Sequence, residues 1–392
     1  MWSDIDIEPY FSKLRASCEK VDFRGWDPFD GLNSSFFQSL PIIRDSRICR
    51  LIWLQTFKQS PINLRPLFGV KKAHNPKGLG LFLSSYCNLY KIDPQKNYLD
   101  KIHFFLEKIM NYQSEGYSGA CWGYNFDWQA RAFFQPKGTP SVVVSSYVAG
   151  ALLDAYEIVK DENVLNTARS TCNFILNDLN RTYDEDGDFA FSYCPADRTQ
   201  VFNASLLGAR LLCRVYASTQ EALLIDEARK AVAFACKHQN PDGSWPYSPL
   251  SYHQWIDNFH TGYNLESIYT YQSISGDCSF NSFFEKGLAY YLSAFFEENG
   301  RPKYYNNSIY PVDLHTTAQL IVTLSKIGRF DSHRELINKV LNWSQNNMFD
   351  DKKAYFYYYK NRFFTIKINY IRWIQAWMML GYSHYCLNTK DV

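Results

Sequence analysis

Two short segments each place a carboxylate beside an imidazole: Asp257-x-x-His260-Thr261 and Asp313-x-His315-Thr316. A carboxylate that fixes the tautomer of a histidine leaves its other ring nitrogen to take or give a proton near neutral pH. The same pattern also serves structure, with Asp capping a helix through backbone N–H bonds and His packing on a neighbour. A third candidate is Asp127, within Trp122-Gly123-Tyr124-Asn125-Phe126-Asp127-Trp128-Gln129-Ala130-Arg131. Burial between two rings would make it a proton donor, while a salt bridge to Arg131 is its structural alternative. Asp127 paired with Asp257 or Asp313 across a groove would meet the minimum need of glycoside hydrolysis. A histidine base, with Arg131 or Arg372 neutralising a sugar carboxylate, would instead serve elimination or epimerisation.

Aromatic residues gather around these candidates. Trp245, Tyr247, Tyr252 and Trp255 fall in one short stretch, and Tyr263 follows His260 by three positions. Of these, Trp245, Tyr247, Trp255 and Tyr263, with Trp122, Tyr124 and Trp128, are the rings expected to stack on a sugar, and Arg131 and Arg372 the cations expected to bind it. Asp184-Glu185-Asp186-Gly187-Asp188 lacks the length and closing Glu of a calcium loop and reads as a solvated turn. Lys137-Gly138-Thr139 lacks the glycine spacing of a phosphate loop, and no third ligand stands at a zinc spacing. No metal or other cofactor is expected.

The chain has 392 residues and a net charge of +2, too even a balance to leave an electrostatic footprint for nucleic acid. The 29 Tyr, 29 Phe and 10 Trp exceed what a core of this size calls for, and a sugar-stacking groove would use the remainder. Ten cysteines without a CxxC pair read as reduced thiols. The N-terminus has no signal-peptide pattern and no run approaches about eighteen apolar residues. A cytoplasmic protein without a transmembrane segment is expected, with peripheral membrane association left open.

The elements that must position these residues repeat. Gln239-Asn240-Pro241-Asp242-Gly243-Ser244-Trp245 ends one helix in a turn, passes through an aromatic stretch and leads into the next helix near Asn258. Similar units precede helices near Val142, Asn203, Val312 and Asn369, at a period of roughly fifty to sixty-five residues. Helices joined alternately by long aromatic loops and short links form stacked hairpins, and six pairs can close on themselves. The expected fold is an all-α (α/α)6 toroid over residues 41–392, with residues 1–40 as an N-terminal extension packed on it. The more apolar helix of each pair would be the inner one. Polar residues near its start, including Ser145, Ser146, Asn203 and Asn369, would then ring a cavity at the mouth carrying the long loops.

The Gln239–Trp245 segment resembles the glutamine-tryptophan repeats of squalene cyclases and prenyltransferase-like α-toroids, although the DxDD acid of the cyclases is absent. WDPFDGLNS from Trp26, SPINLRPLFG from Ser60, NPKGL from Asn75, WGYNFDWQAR from Trp122 and PKGTPSVVVSSYVAGALLDAYE from Pro136 are similar to uncharacterised toroid proteins of bacterial surface-polysaccharide clusters. HQNPDGSWPYS and IDNFHTGYNLE extend that likeness over most of the chain. It implies a glycan context and transfers no catalytic residue. The reading is therefore an enzyme of surface-polysaccharide production or processing, a hydrolase, lyase or uronate epimerase. The alternatives are a non-catalytic glycan-binding or assembly protein, and an enzyme acting on a polyprenyl-linked substrate.

Overall fold

The computed structural model describes residues 5–94, 97–130 and 134–389. Its helices are α1 (Glu8–Lys20), the short α2 (Ser35–Gln38) and α3 (Pro41–Asp45), α4 (Arg47–Gln59), α5 (Pro76–Ile92), α6 (Tyr98–Met110), α7 (Val142–Val159), α8 (Glu162–Asn173), α9 (Phe202–Thr219), α10 (Ala222–Lys237), α11 (Asn258–Ser275), α12 (Asn281–Ala294), α13 (His315–Lys326), α14 (Arg334–Met348) and α15 (Ala376–Thr389).

Burial sorts them into two kinds. In α13 every residue from His315 to Leu324 is buried, whereas α8 buries only the stripe Val164, Ala168, Thr171 and Cys172. A helix buried all round must be enclosed by others, and one with a single stripe faces solvent. The enclosed helices α5, α7, α9, α11, α13 and α15 pack in succession, and α15 returns onto α5 to close a ring. Outside it, α6, α8, α10, α12 and α14 each pack on the inner helix they follow, and α1 packs on α15. The chain is an (α/α)6 toroid. Val142–Val159 is long and apolar enough to span a bilayer by composition, yet it is the inner helix α7, held between α5 and α9.

The outer position beside α15 is filled from the N-terminus. The toroid expected over residues 41–392 would take its first helix from residue 41 onward; that stretch instead forms α3 and α4, broken where Ser46 caps α4. The α4 helix lies on the turn Asp30–Asn33 and the strand Trp128–Gln129, with a small core of Leu32, Phe37 and Leu54. Helical periodicity records an apolar face but not what that face packs against.

The long loops are held to the outer ring by their turns. Gly243 has φ +92°, and a Cβ there would sit 2.4 Å from the Lys286 carbonyl at the back of α12. Gly300, one repeat on, makes the same approach to the Lys339 carbonyl on α14. Only glycine fits such contacts, so at these two turns it is a docking point, whereas Gly116 and Gly187 in the corresponding turns meet no neighbour and supply only a positive φ. The strand Val312–Asp313 pairs antiparallel with Tyr359–Lys360, tying two of these loops together.

Candidate active site

The six inner helices begin around one cavity of about 370 Å³. Lys77 from α5, Val143 from α7, Asn203 from α9, His260 and Tyr263 from α11, and His315 from α13 all line it. Ahead of α15 a π-helical turn, Ile371–Gln375, presents Arg372 and Trp373 to the same space. Tyr124, Phe126, Trp128, Tyr193, Tyr247, Trp255 and Tyr304 complete the wall from the long loops, and α4 covers one side with Leu51, Leu54, Gln55 and Lys58. Below, Tyr263 stacks on Trp377 and Tyr147 meets both edge-on, closing the ring axis. Under that floor Arg210 pairs with Glu266 at 2.6 Å and Arg214 with Asp154 at 2.7 Å.

Asp257 and His260 form a dyad. Asp257 caps α11, its Oδ1 accepting the His260 backbone N–H at 3.1 Å, while Oδ2 lies 2.7 Å from His260 Nδ1. The Trp255 indole N–H donates to the same Oδ2 at 3.2 Å. Asp257 is buried behind the wall and only His260 lines the cavity. With Nδ1 engaged by the carboxylate, Nε2 is the nitrogen left for proton transfer. The helix cap and the imidazole partner are thus one carboxyl group.

His315 lies deeper, sandwiched between Phe259 at 4.3 Å and Trp377 at 4.2 Å. Its Nε2 is 2.9 Å from the Tyr263 hydroxyl, and its buried Nδ1 has no partner among the described residues. Burial, with Lys77, His260 and Arg372 nearby, holds His315 well below the usual imidazole value, so the ring is neutral. Burial also pushes the Tyr263 hydroxyl well above its ordinary value, so it stays protonated.

Asp313 does not reach the cavity. Its Oδ1 accepts the His315 backbone N–H at 3.0 Å and its Oδ2 the Trp373 indole N–H at 2.8 Å, so it positions two wall residues. Burial pushes Asp313 up to about 7, against the pull of the Trp373 and His315 bonds. An unfolded Asp titrates near 4. Between about 4 and 7 the folded chain therefore holds a proton that the unfolded chain has lost, and stability falls as pH rises through that window. Relative to Asp313→Asn, the wild type should lose up to about 1.4 kcal/mol per pH unit there and level off above. Urea midpoints of both proteins over that range check this, and parallel curves would contradict it.

The other sequence candidates divide. Tyr124, Trp128, Tyr247, Trp255 and Tyr263 line the cavity. Asp127 does not: its Oδ1 accepts the Lys137 backbone N–H at 2.7 Å and Oδ2 the Gln38 amide at 3.3 Å, bracing a loop. Trp122 and Trp245 are core residues whose indoles donate to the Ile109 and Ala235 carbonyls, both at 2.9 Å. Arg372 lines the cavity but is bound through two nitrogens to Asp27 at 2.5 and 2.7 Å. Arg131 lies outside the described residues. In the acidic turn, the Lys237 ammonium sits 2.6 to 2.9 Å from Asp184, Asp186 and Asp188.

Sequence reasoning missed Lys77. This buried lysine follows Asn75-Pro76, where the Asn75 side chain caps α5. Its amine lies over the rings of Tyr147 at 4.3 Å, Trp377 at 5.4 Å and Tyr263 at 5.5 Å, with no carboxylate at ion-pair distance among the described residues. Burial, then the charges of Arg372 and Arg210, push it well below the usual amine range. A polar residue in the first turn of an otherwise apolar inner helix was the available signal.

No family profile and no curated protein matches the chain. Solved structures do. The fold is that of sugar-processing toroids. A cellobiose 2-epimerase from Bacillus thermoamylovorans aligns with a TM-score of 0.61 at 11% identity, over 79% of this chain and 88% of that one. A GH76 α-mannanase from Bacteroides thetaiotaomicron gives 0.62 at 14% identity, over 82% and 89%. An unsaturated glucuronyl hydrolase specific for heparin gives 0.62 at 11% identity, over 98% and 96%. At these identities the likeness is one of fold. It carries neither of the sequence resemblances, to the surface-polysaccharide toroids or to the squalene cyclases.

Proposed function

We propose that the protein is a carbohydrate-active enzyme that moves a proton at the carbon bearing the carboxyl group of an acidic sugar, giving epimerisation or elimination. One observation carries this reading: the imidazoles of His253, His260 and His315 line the cavity and, among the described residues, no Asp or Glu does. Hydrolysis by a carboxylate pair needs both groups at the substrate, and here Asp257 and Asp313 stand behind the wall. His260, its Nδ1 held by Asp257, is the base. Tyr263 with His315 is the second proton-handling group, able to return a proton from another side or to protonate a leaving oxygen. Lys77 receives the sugar carboxylate: pairing with an anion restores the charge that burial opposes, and a neutralised carboxylate makes the adjacent C–H more acidic. The tyrosine and tryptophan walls supply stacking surface. Fold relatives that include an epimerase and a glucuronyl hydrolase add support by analogy, and the sequence resemblance supplies the setting, surface-polysaccharide production.

The test is incubation of the purified chain with uronate-containing saccharides in deuterated water. Deuterium at the carbon next to the carboxyl, or an unsaturated chromophoric end, is the expected product. New reducing ends with neither would mean hydrolysis and overturn the reading. Lys77→Met should raise KM for an acidic sugar about tenfold or more, the scale of a lost charged hydrogen bond, with little change for its carboxyl-reduced analogue.

A further inference from the structure

The cap over the cavity mouth has an outer face that the proton-transfer reading does not use. Of the sixteen large apolar side chains exposed among the described residues, seven fall within residues 36–67. Ile42 is 89% exposed, Ile48 68%, Ile52 63%, Ile62 70% and Leu67 77%. On α4 the division is sharp: Leu51, Leu54 and Lys58 face the cavity, while Ile48 and Ile52, one turn apart, face away. The loop carrying Ile62 and Leu67 returns against the same helix, since Phe68 packs on Trp53 and Phe57. Isolated exposed isoleucines need no explanation, but a run of them on one small substructure marks a docking surface.

Charge identifies what docks there. Residues 41–72 contain seven Lys and Arg against one Asp, in a chain whose net charge is only +2; Arg65 is buried in its pair with Asp30 and Lys58 faces the cavity, which leaves five cations, Arg44 among them beside Asp45. Arg47, next to Ile48 in the chain, is exposed, as are Lys71 and Lys72, which follow the loop carrying Ile62 and Leu67. A second copy of the chain would bring two basic faces together, which like-charge repulsion opposes. An apolar patch rimmed by cations matches the boundary between acyl chains and anionic headgroups. We infer that the cap, residues 36–72, docks the protein on an anionic membrane surface and holds the cavity mouth beside the headgroups.

Flotation of the full chain with vesicles tests this. Binding is expected to vesicles of equimolar phosphatidylcholine and phosphatidylglycerol, weakening with salt, and much less to phosphatidylcholine alone. Ile48→Ser with Ile52→Ser should abolish it. Lys71→Ala and Lys72→Ala should each weaken it roughly fivefold, the effect of one cation near such a surface. Both pairs are exposed, so folding and turnover of soluble saccharides should persist, which separates this inference from the catalytic reading. Failure to float on the anionic vesicles, or flotation indifferent to the isoleucine changes, would overturn it. So would sedimentation showing a wild-type dimer that the same changes dissolve, because the face would then be a self-interface.

Discussion

His260→Gln is expected to lower the turnover of an acidic sugar by about 10²- to 10⁴-fold, the range that a positioned general base contributes. Asp257→Asn should reproduce much of that loss for a different reason. Asn caps a helix as well as Asp does, so α11 keeps its start, but an amide lacks the charge that holds the His260 Nδ1 proton. Fold and activity can therefore be separated at this position: helicity and denaturation midpoint should hold while the rate falls. His315→Gln supplies the complementary result. If His260 and the Tyr263–His315 pair serve two sides of one carbon, removing either should stop interconversion yet leave solvent exchange from the epimer whose hydrogen faces the surviving group. NMR of the recovered sugars after incubation in deuterated water reads both quantities. A folded His260→Gln protein that exchanges and interconverts at the wild-type rate would refute its assignment as base.

The toroid was legible because its cause is written locally. A helix enclosed on all sides must be apolar all round, and a turn that docks on the next outer helix must carry glycine, so Val142-Val143-Val144 and Gly243 announce their places. The place of α1 was not legible, because ring closure brings residues hundreds of positions apart together and no local pattern records it. The same limit governs the site. Candidates set by a helix start, such as Asp257 and His260, come together because capping is a short-range effect. Those chosen for ring content divide by where the ring points: Trp245 and Trp255 are ten residues apart in one loop, yet one indole reaches the core and the other the cavity. Lys77 went unnoticed because a single lysine in a sequence reads as surface, and only the closed ring shows it buried over three aromatic faces.

Arg372 shows how an apparent substrate-binding cation can belong to the frame, and its replacement carries the largest stability effect expected here. Its guanidinium donates two hydrogen bonds to Asp27 at 2.5 and 2.7 Å, with both side chains almost wholly buried. Beside them Arg65 pairs with Asp30 at 2.6 Å and also donates to the Asp27 carbonyl. This cluster fastens the loop after α1 to the start of α15, where the Ile371 N–H also donates to the Trp26 carbonyl. Removing one partner leaves the other charge buried without compensation, a loss of about 3–5 kcal/mol. Arg372→Ala and Asp27→Ala should each destabilise on that scale. The double variant should be little worse than either single one, since the pair is lost once, and a double-mutant cycle in denaturant measures the coupling. Arg372→Lys should recover only part, because an ammonium cannot reproduce the two-pronged contact. Had Arg372 served mainly to bind substrate, Arg372→Ala would raise KM while leaving the denaturation midpoint where it was, and that outcome would restore the role its sequence position first implied.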